Sequence, residues 1–264
     1  LDGASGEPCI THRGTLVASI FLRDALQAIK SYAFRYSPYP LILTIENHCS
    51  LQQQEAMARA FVEVNTFQIL GDDIYMIPEN EPLTELPSPS QLKHKYLLRG
   101  KRVLAAVTGV DEGREDDDEA SAAPENKYVH PDLSKLISLS QVKLTRCLRG
   151  DIDKHGVNES ASLSETKVKK LGEESEALLA AYTSKHFVKS YPKGLRQDSS
   201  NFCPMQSWIA GVQSVALNMQ TYDENMDLSA GLFRINGNCG YVLKPPVLIR
   251  GLGKQPQSRD LITR

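Results

Sequence analysis

The chain alternates between stretches with a helical spacing of hydrophobic residues and short continuous hydrophobic runs. In the first helical stretch, Leu22, Leu26 and Ile29 fall on one stripe, as in an amphipathic helix. The short runs, such as Leu41 to Ile45, are typical of strands buried in a sheet. The pattern predicts helices over residues 22–34, 50–64 and 162–187, a helical turn with a strand over 133–142, and strands over 41–45, 93–101, at the end of 208–221 and over 240–245.

Strands that alternate with helices over this length favour a parallel sheet, either open or closed into a barrel. In both cases ligands bind beyond the carboxyl ends of the strands. The strand 41–45 runs directly into Glu46, and Ser50 begins the next helix with the Ser-x-x-Gln spacing of a capping box. We therefore expect residues 46–49 to form a strand-to-helix loop on the functional face, where a cation or a substrate hydroxyl can meet Glu46.

The composition is that of an ordinary globular protein, with 264 residues, 41% hydrophobic, 23% charged and a formal net charge of -2. This length allows one large domain or two small ones. No run of about 18 hydrophobic residues occurs, so no membrane-spanning helix is predicted. The first ten residues lack the basic and hydrophobic regions of a signal peptide. Five scattered cysteines without a CxxC spacing indicate neither a disulfide framework nor a zinc site, and favour a reducing, intracellular setting.

A strongly acidic segment interrupts the pattern. Residues 111–119 contain seven acidic residues and one arginine, with no hydrophobic periodicity. This composition predicts a self-repelling, disordered linker of roughly 25 residues. The predicted organisation is a folded part over 1–104, the linker over 105–132, a second folded part over 133–249 and a polar tail over 250–264.

Five segments of the chain are distinctive. In order, they read SPYPLILTIENHCSLQQQEAMA, LPSPSQLKHKYLLRGKR, YPKGLRQDSSNFCP, VALNMQT and NGNCGYVLKP. These segments resemble successive landmarks of the eukaryotic phosphoinositide-specific phospholipases C, the first two in the X half of that family and the others in its Y half. The order, the intervals and the acidic linker match the family over nearly all of residues 1–249.

The resemblance implies a distorted (β/α)8 TIM-type barrel, split into X and Y halves by the acidic linker, that hydrolyses phosphatidylinositol 4,5-bisphosphate to diacylglycerol and inositol trisphosphate. It implies Ca²⁺ as cofactor, for which carboxylates are suitable ligands. It also implies a cytoplasmic location at the inner face of the plasma membrane, an anionic membrane surface as partner, and no nucleic acid. A G protein or another regulator is left open as a partner, because the sequence does not identify one. The alternative is a catalytically inactive phosphoinositide-binding or scaffold relative.

Two catalytic residues are carried over from the family. In EPCITHRGTL, His12 becomes the general acid that protonates the departing alkoxide. In IENHCS, Glu46 becomes a calcium ligand and a candidate base for the inositol 2-hydroxyl. The residue types alone allow simpler explanations: Glu46 as an acid favoured by a helix dipole, and His12 as an ordinary surface or core histidine.

Five further residues match family positions that contact the headgroup. Lys93 and Lys95, predicted to lie on one face of a strand, match a pair that grips the ring phosphates. Ser162 matches a headgroup hydroxyl, and Tyr191 a tyrosine that packs against the inositol, with Lys189 at a neighbouring basic position. The simpler explanations are a solvated strand face for the lysine pair, and a Ser-x-x-Glu capping box for Ser162.

The sequence departs from the family in three ways. First, it aligns from a point just after the second barrel strand, so we expect about two of the eight strands and three of the four calcium ligands to be missing, and this chain alone to be inactive. Second, Lys189 replaces a forked guanidinium with a point charge. Third, the ridge that dips into the membrane is thin, because the aligned positions hold Gly14, Leu16, Lys169 and Leu195.

Overall fold

The computed structural model describes residues 1–3, 5–11, 18–62, 70–78, 83–102, 128–196 and 198–251. The described part of the chain divides into two compact units, the first ending at Gln141 and the second beginning at Val142. His12, the acidic segment 111–119 and nearly all of the polar tail lie outside the described residues. Among the described helices, none is long and hydrophobic enough to cross a membrane.

The first unit alternates strands with helices. It begins with a short antiparallel pair, β1 (Cys9–Ile10) and β2 (Ile20–Phe21), and continues with α1 (Leu22–Tyr32). There follow β3 (Leu41–Thr44), α2 (Leu51–Val62), a 3-10 turn (Gly71–Asp73), β4 (Tyr96–Gly100), α3 (Pro131–Leu136) and β5 (Ile137–Val142), which ends at the unit boundary. β4 pairs in parallel with β3 on one side and with β5 on the other.

The second unit continues the alternation. Its elements are α4 (Leu148–Lys154), β6 (Glu159–Ser164), α5 (Glu165–Lys185), β7 (Phe187–Tyr191), α6 (Met205–Ile209), β8 (Ser214–Val215), α7 (Glu224–Arg234) and α8 (Pro246–Ile249). β7 pairs in parallel with β6 and with β8.

Every second residue of the strands packs against the helices. In the second unit, Ala161 of β6 and Val188 of β7 are fully buried together with Leu179 of α5. In the first unit, Leu98 of β4 lies in one cluster with Phe61 of α2. Burying one such large side chain stabilises the fold by about 1.5–3 kcal/mol, so these clusters hold the helices against one face of the strands.

Most elements predicted from hydrophobic spacing are confirmed. The helix over 22–34 is α1, and the described part of the helix over 50–64 is α2. The strand over 41–45 is β3, and the turn and strand over 133–142 are α3 and β5. The prediction of a buried strand at the end of 208–221 is wrong, because the strand in this range, β8, lies in its middle, is only two residues long and is half-buried.

The predicted helix over 162–187 begins only at Glu165. Ser162 lies inside β6, a strand that the local pattern did not predict, and β6 pairs with β7, which it also did not predict. The N-cap of α5 is Ser164, whose Oγ accepts a hydrogen bond from the main-chain N of Lys167 at 3.4 Å. The capping-box explanation of Ser162 is therefore wrong, because a strand continues through that position.

The predicted strand over 240–245 is also wrong, because these residues are irregular. The carbonyl O of Tyr241 accepts a hydrogen bond from Nδ2 of Asn236 at 2.9 Å rather than from a neighbouring strand. Pro245 and Pro246 have no N–H group to donate to a ladder. α8 begins at the second of these prolines.

Lys244 reaches from this irregular segment to the last turn of α5. Its Nζ donates to the carbonyl O of Thr183 at 2.7 Å. Gly211 approaches the same place with φ of +79°, and a Cβ there would lie 2.4 Å from Oγ1 of Thr183. Desolvation by burial lowers the pKa of Lys244 from 10.5 to about 8.

This lowered pKa predicts a pH dependence of stability. Between pH 8 and 10.5 the unfolded chain holds the Lys244 proton more tightly than the folded chain, so the contribution of this group to stability rises with pH. We expect Lys244→Met to remove that rise. Denaturant unfolding of both proteins at several pH values between about 7 and 10 measures the difference in free energy of unfolding; a difference that does not change with pH would contradict the burial of the ammonium group.

Candidate active site

Glu46 lies just beyond the carboxyl end of β3. The strand ends at Thr44, which stands opposite Arg99 of β4, and Glu46 follows two residues later. The side chain of Glu46 is 72% exposed, and Nε2 of His48 lies 2.9 Å from its Oε1. A carboxylate oriented by a largely buried imidazole therefore projects at the edge where parallel sheets bind ligands.

The loop that carries Glu46 is fastened by the start of the chain. Oδ1 of Asp2 accepts a hydrogen bond from the main-chain N of Ser50 at 2.9 Å. The side-chain amide of Gln53 exchanges two hydrogen bonds with the main chain of Gly3, at 3.0 and 2.9 Å. Oγ of Ser50 accepts from the main-chain N of Gln53 at 3.4 Å, so half of the predicted capping box exists. Gln53 does not complete the box, because its amide is bonded to Gly3.

A buried glutamine holds the same loop from the other side. Nε2 of Gln54 donates to the carbonyl O atoms of Cys49 and Tyr128, at 2.9 and 3.1 Å. Its Oε1 accepts from the main-chain N of His130 at 2.8 Å. Each polar atom of this amide has a partner, as buried polar groups require. The loop after β3 is thus joined to the segment that precedes α3.

The prediction that Lys93 and Lys95 lie on one face of a strand is wrong. They belong to the turn before β4, in which His94 has φ of 59°. Nζ of Lys95 donates to the carbonyl O of Asp72 at 2.8 Å. Because β3 and β4 are parallel, this turn lies at the amino edge of the strands, separated from Glu46 by the strand length of about 3.3 Å per residue.

The basic residues at the carboxyl end of β4 are Arg99 and Lys101, which the sequence analysis missed. Arg99 is 1% exposed, and burial lowers the pKa of its guanidinium from 12.5 to about 10. Lys101 lines a small cavity together with Asn47 and Gly100. The signal was present in YLLRGK, where a hydrophobic run ends in basic residues just as LILTIE ends in Glu46.

In the second unit, Ser162, Lys189 and Tyr191 lie on one face of the paired strands. Ser162 stands opposite Lys189, and Ser164 stands opposite Tyr191. Paired residues of parallel strands point to the same side, and alternate residues return to it. These side chains therefore occupy the face turned away from α5. The structure brings the three together, and their roles in binding stay predictions.

Two of the four residues aligned with the membrane ridge, Lys169 and Leu195, lie in the described part of the chain. Leu195 is 64% exposed in the segment after β7. Nζ of Lys169 lies 3.9 Å from the carboxylate of Glu173, one turn further along α5, so its charge is partly compensated. Gly14 and Leu16 lie outside the described residues.

The described residues do not contain a group of three or more His, Cys, Asp or Glu side chains that could hold a metal ion. Ca²⁺ takes six to eight oxygen ligands, several of them carboxylates in most sites. The described part of the edge after β3 contributes the carboxylate of Glu46. The described residues therefore supply one carboxylate of the several oxygen ligands that such a site uses.

Comparison with known proteins points to one family. The model of the phosphatidylinositol-specific phospholipase C X domain matches residues 1–102, and that of the Y domain of the same family matches residues 133–247. The chain is 40% identical over 274 residues to 1-phosphatidylinositol 4,5-bisphosphate phosphodiesterase delta-3 of Homo sapiens, covering 97% of this chain and 33% of the relative. It is 38% identical over 268 residues to the delta-1 protein of Rattus norvegicus, covering 94% and 35%.

Two solved structures agree with this family. The crystal structure of S. officinalis PLC21 matches with a TM-score of 0.80 and 33% identity, over 96% of this chain and 32% of that chain. The crystal structure of L. pealei PLC21 matches with a TM-score of 0.79 and 32% identity, over 94% and 32%. The chain thus spans about a third of the length of the proteins it matches.

Parallel strands that alternate with helices, and polar residues at the carboxyl ends of those strands, define a ligand-binding α/β protein. Its fold class is the distorted TIM-type barrel that the resemblance implies. The chain belongs to the phosphatidylinositol-specific phospholipase C family and carries residues of its X and Y domains. The family and the fold class expected from the sequence are confirmed.

The cap of α5 gives a direct test of the local structure. Ser164→Ala should lower the free energy of unfolding by about 1 kcal/mol, because the hydroxyl satisfies a main-chain N–H in the first helical turn. Ser162→Ala serves as the matched control and should cost less, since Ser162 does not cap the helix. Urea denaturation of both variants measures the two losses. A larger loss for Ser162→Ala would support a helix that starts at the earlier serine.

Proposed function

We propose that this protein is a phosphoinositide phospholipase C that hydrolyses phosphatidylinositol 4,5-bisphosphate to diacylglycerol and inositol trisphosphate in intracellular signalling. The observation that supports this most is the placement of Glu46, which stands at the carboxyl edge of β3 within a loop fastened on both sides. The relatives suggest the substrate, because they are named as phosphodiesterases of that lipid.

In the proposed reaction, the inositol 2-hydroxyl attacks the phosphodiester and the diacylglycerol oxygen leaves. His12 protonates this oxygen, because an alkoxide is a poor leaving group at neutral pH. Glu46 accepts the proton of the attacking hydroxyl, and His48, 2.9 Å away, orients its carboxylate. The product is a cyclic phosphate, which water then opens.

Arg99 and Lys101 replace Lys93 and Lys95 in this proposal as the groups that contact ring phosphates in the first unit. They stand at the same edge of the strands as Glu46, whereas the earlier pair stands at the opposite edge. A poorly solvated guanidinium such as that of Arg99 gains most from a phosphate oxygen, which it binds with a charge-assisted hydrogen bond.

In the second unit, Ser162, Lys189 and Tyr191 stay the proposed headgroup contacts. Their common face supports this assignment, because one ligand can reach all three side chains from that side. Lys189 offers a point charge where the family has a forked guanidinium, so we expect a weaker phosphate contact at this position.

The requirement for Ca²⁺ is part of the proposal, with Glu46 as one ligand. The ion would neutralise charge that develops on the phosphate. The remaining oxygen ligands have to come from outside the described residues, from the substrate or from water. We also propose that the protein works in the cytoplasm, peripherally bound to the anionic inner face of the plasma membrane, where its lipid substrate lies.

A catalytically inactive phosphoinositide-binding or scaffold relative is the second candidate. It is favoured by one observation, namely that the described residues form no cluster able to hold a metal ion. Both candidates bind the same headgroup, so turnover separates them and binding does not.

We expect Glu46→Gln to abolish turnover in the protein as it is expressed from its natural transcript. The substitution keeps the size of the side chain and removes a charge that a hard cation needs. Release of inositol trisphosphate from vesicles that contain phosphatidylinositol 4,5-bisphosphate, with micromolar Ca²⁺ or with chelator, measures this. Glu55→Gln, an exposed acid on α2 paired with Arg59, is the control and should keep activity.

Two results would contradict the assignment. Turnover in chelator equal to that in Ca²⁺ would show that the reaction does not require the metal. Near-native turnover of Glu46→Gln would show that the carboxylate of Glu46 is not needed for catalysis. Absence of turnover in the unsubstituted protein, with headgroup binding intact, would favour the inactive relative.

Substitutions in the pair Arg99 and Lys101 and in the pair Lys93 and Lys95 should affect KM differently. Lys101→Met should raise KM for the lipid roughly tenfold, because a charge-assisted hydrogen bond contributes about 1.5–3 kcal/mol. Lys93→Met and Lys95→Met should leave KM within about twofold, since both side chains lie at the amino edge of β4. Steady-state kinetics of the three variants measures this. The opposite order would restore the earlier assignment.

A further inference from the structure

A series of hydrogen bonds joins the segments that follow β6, β7 and β8 in the second unit. It begins at Glu165, the first residue of α5, directly after β6. The guanidinium of Arg196 grips this carboxylate with two bonds, from Nε to Oε1 and from Nη2 to Oε2, the latter at 2.8 Å. The main-chain N of Lys193 donates to Oε1 at 3.0 Å. The segment after β7 is thus bound to the start of α5 by three hydrogen bonds.

Arg196 also donates hydrogen bonds to Asn201 and to the residue before it. Its Nη1 donates to the carbonyl O of Asn201 at 3.1 Å and to Oγ of Ser200 at 3.0 Å. Asn201 is 6% exposed. Its Oδ1 accepts from the main-chain N of Asn218 at 2.6 Å, and its Nδ2 donates to the carbonyl O atoms of Asn218 and Thr221, both at 3.3 Å. The side chain of Asn201 therefore holds the segment that follows β8.

The series ends at the start of α7. Oδ2 of Asp223 accepts from the main-chain N of Asn201 at 3.3 Å. Oδ1 of Asp223 accepts from the main-chain N atoms of Asn225 and Met226, at 3.1 and 3.0 Å, as the N-cap of α7. Three consecutive strand-to-helix connections are consequently tied together at their carboxyl edge. We call Glu165, Arg196 and Asn201 the clamp.

The charges in the clamp are satisfied. The side chains of Glu165 and Arg196 are 16% and 30% exposed, so the pair is partly shielded from water. Burial works to raise the pKa of Glu165, but the hydrogen bonds from Arg196 and Lys193 outweigh it, and the pKa lies below its ordinary value. Both groups are therefore ionised at neutral pH, and a forked guanidinium with a carboxylate fixes geometry as well as energy.

The clamp adjoins the proposed headgroup contacts. Tyr191 is the last residue of β7 and stands opposite Ser164, the residue just before Glu165. The clamp therefore binds the chain within a few residues after Tyr191 and fixes the direction in which the chain leaves β7. The ion pair with Glu165 also holds the guanidinium of Arg196 against the start of α5, so this group does not bind the phosphates in place of the proposed contacts. A contact group held in place loses less entropy when it binds a ligand.

We propose that Glu165, Arg196 and Asn201 are positioning residues, which hold Tyr191 and the segment after β7 in the arrangement that receives an inositol polyphosphate headgroup. This inference rests on the proposed function. Their role acts through Tyr191 and requires no contact of the clamp with the substrate. Loss of the clamp should thus weaken binding of the ground state and the transition state alike, which raises KM and leaves kcat unchanged.

The test uses a double substitution that leaves the net charge unchanged. Glu165→Gln with Arg196→Met removes the ion pair and the fork, so that a change in binding reports geometry and not overall charge. The control is Asp153→Asn with Lys185→Met, which removes an exposed ion pair of the same unit, 3.7 Å between Nζ and Oδ1. Both double variants and the unsubstituted protein are compared in the natural full-length polypeptide, after circular dichroism has shown that they are folded.

Three measurements are made on each protein. Amide exchange of residues 193–196 and 198–200 should be at least about tenfold faster in the clamp variant, because local opening becomes easier. Calorimetry with soluble inositol 1,4,5-trisphosphate should give a Kd roughly fivefold higher, and vesicle hydrolysis a KM raised by a similar factor with kcat within about twofold. The control double variant should match the unsubstituted protein in all three.

The outcomes separate the inference from the function it rests on. Faster exchange with unchanged Kd and KM would make the clamp merely structural and overturn the inference, as would a loss confined to kcat. An unsubstituted protein that neither binds the trisphosphate nor turns over the lipid would overturn the proposed function, and the inference with it. If the double variant does not fold, Arg196→Lys replaces it. This variant keeps the charge but cannot make the four side-chain bonds of Arg196, so we expect the same rise in Kd, and a native Kd would contradict the inference.

Discussion

Parallel pairing in a fixed register decides which side chains of this protein face its helices and which face its ligand edge. Leu43 stands opposite Leu98 in the hydrophobic cluster of the first unit, so the next pair, Thr44 and Arg99, points to the other side. A shift of one residue would exchange the two faces and move Leu43 and Leu98 out of this cluster. The hydrophobic clusters therefore fix the orientation of the candidate site, although no residue of the site contributes to them.

Two neighbouring residues at the end of β4 differ in what they bury: Gly100 has no side chain, whereas Arg99 buries a charged one. A Cβ at Gly100 would lie 3.2 Å from Cδ1 of Ile137 and 3.4 Å from the carbonyl O of Ile45, so a larger residue would require its neighbours to move by a few tenths of an ångström. The residue before it is Arg99, almost fully buried, where a charge is costly to desolvate. Such a cost is acceptable at a position where an anionic ligand can offset it, and this makes Arg99 informative about function.

Side-chain hydrogen bonds to the main chain help to hold the loops at the ligand edge. Asp2 fastens the loop after β3, Gln54 joins it to the segment before α3, and Arg196 with Asn201 ties the connections after β7 and β8. Each bond contributes about 0.5–1.5 kcal/mol net, so several together are needed to fix one loop. Loops of this kind keep an exposed, polar surface ordered without covering it by hydrophobic side chains.

The sequence by itself determined α1 and α2, which bury residues at helical spacing, and β3 and β5, which are half-buried or buried along most of their length. It also determined the family, through five ordered segments, and the position of Glu46 at the end of a strand. Only the tertiary structure decided that Ser162 lies in a strand, that Lys93 precedes one, and that Arg196 grips Glu165 from 31 residues away. The physical reason is that hydrophobic spacing records burial along one segment, whereas strand pairing, turns and ion pairs depend on partners that are distant in the chain.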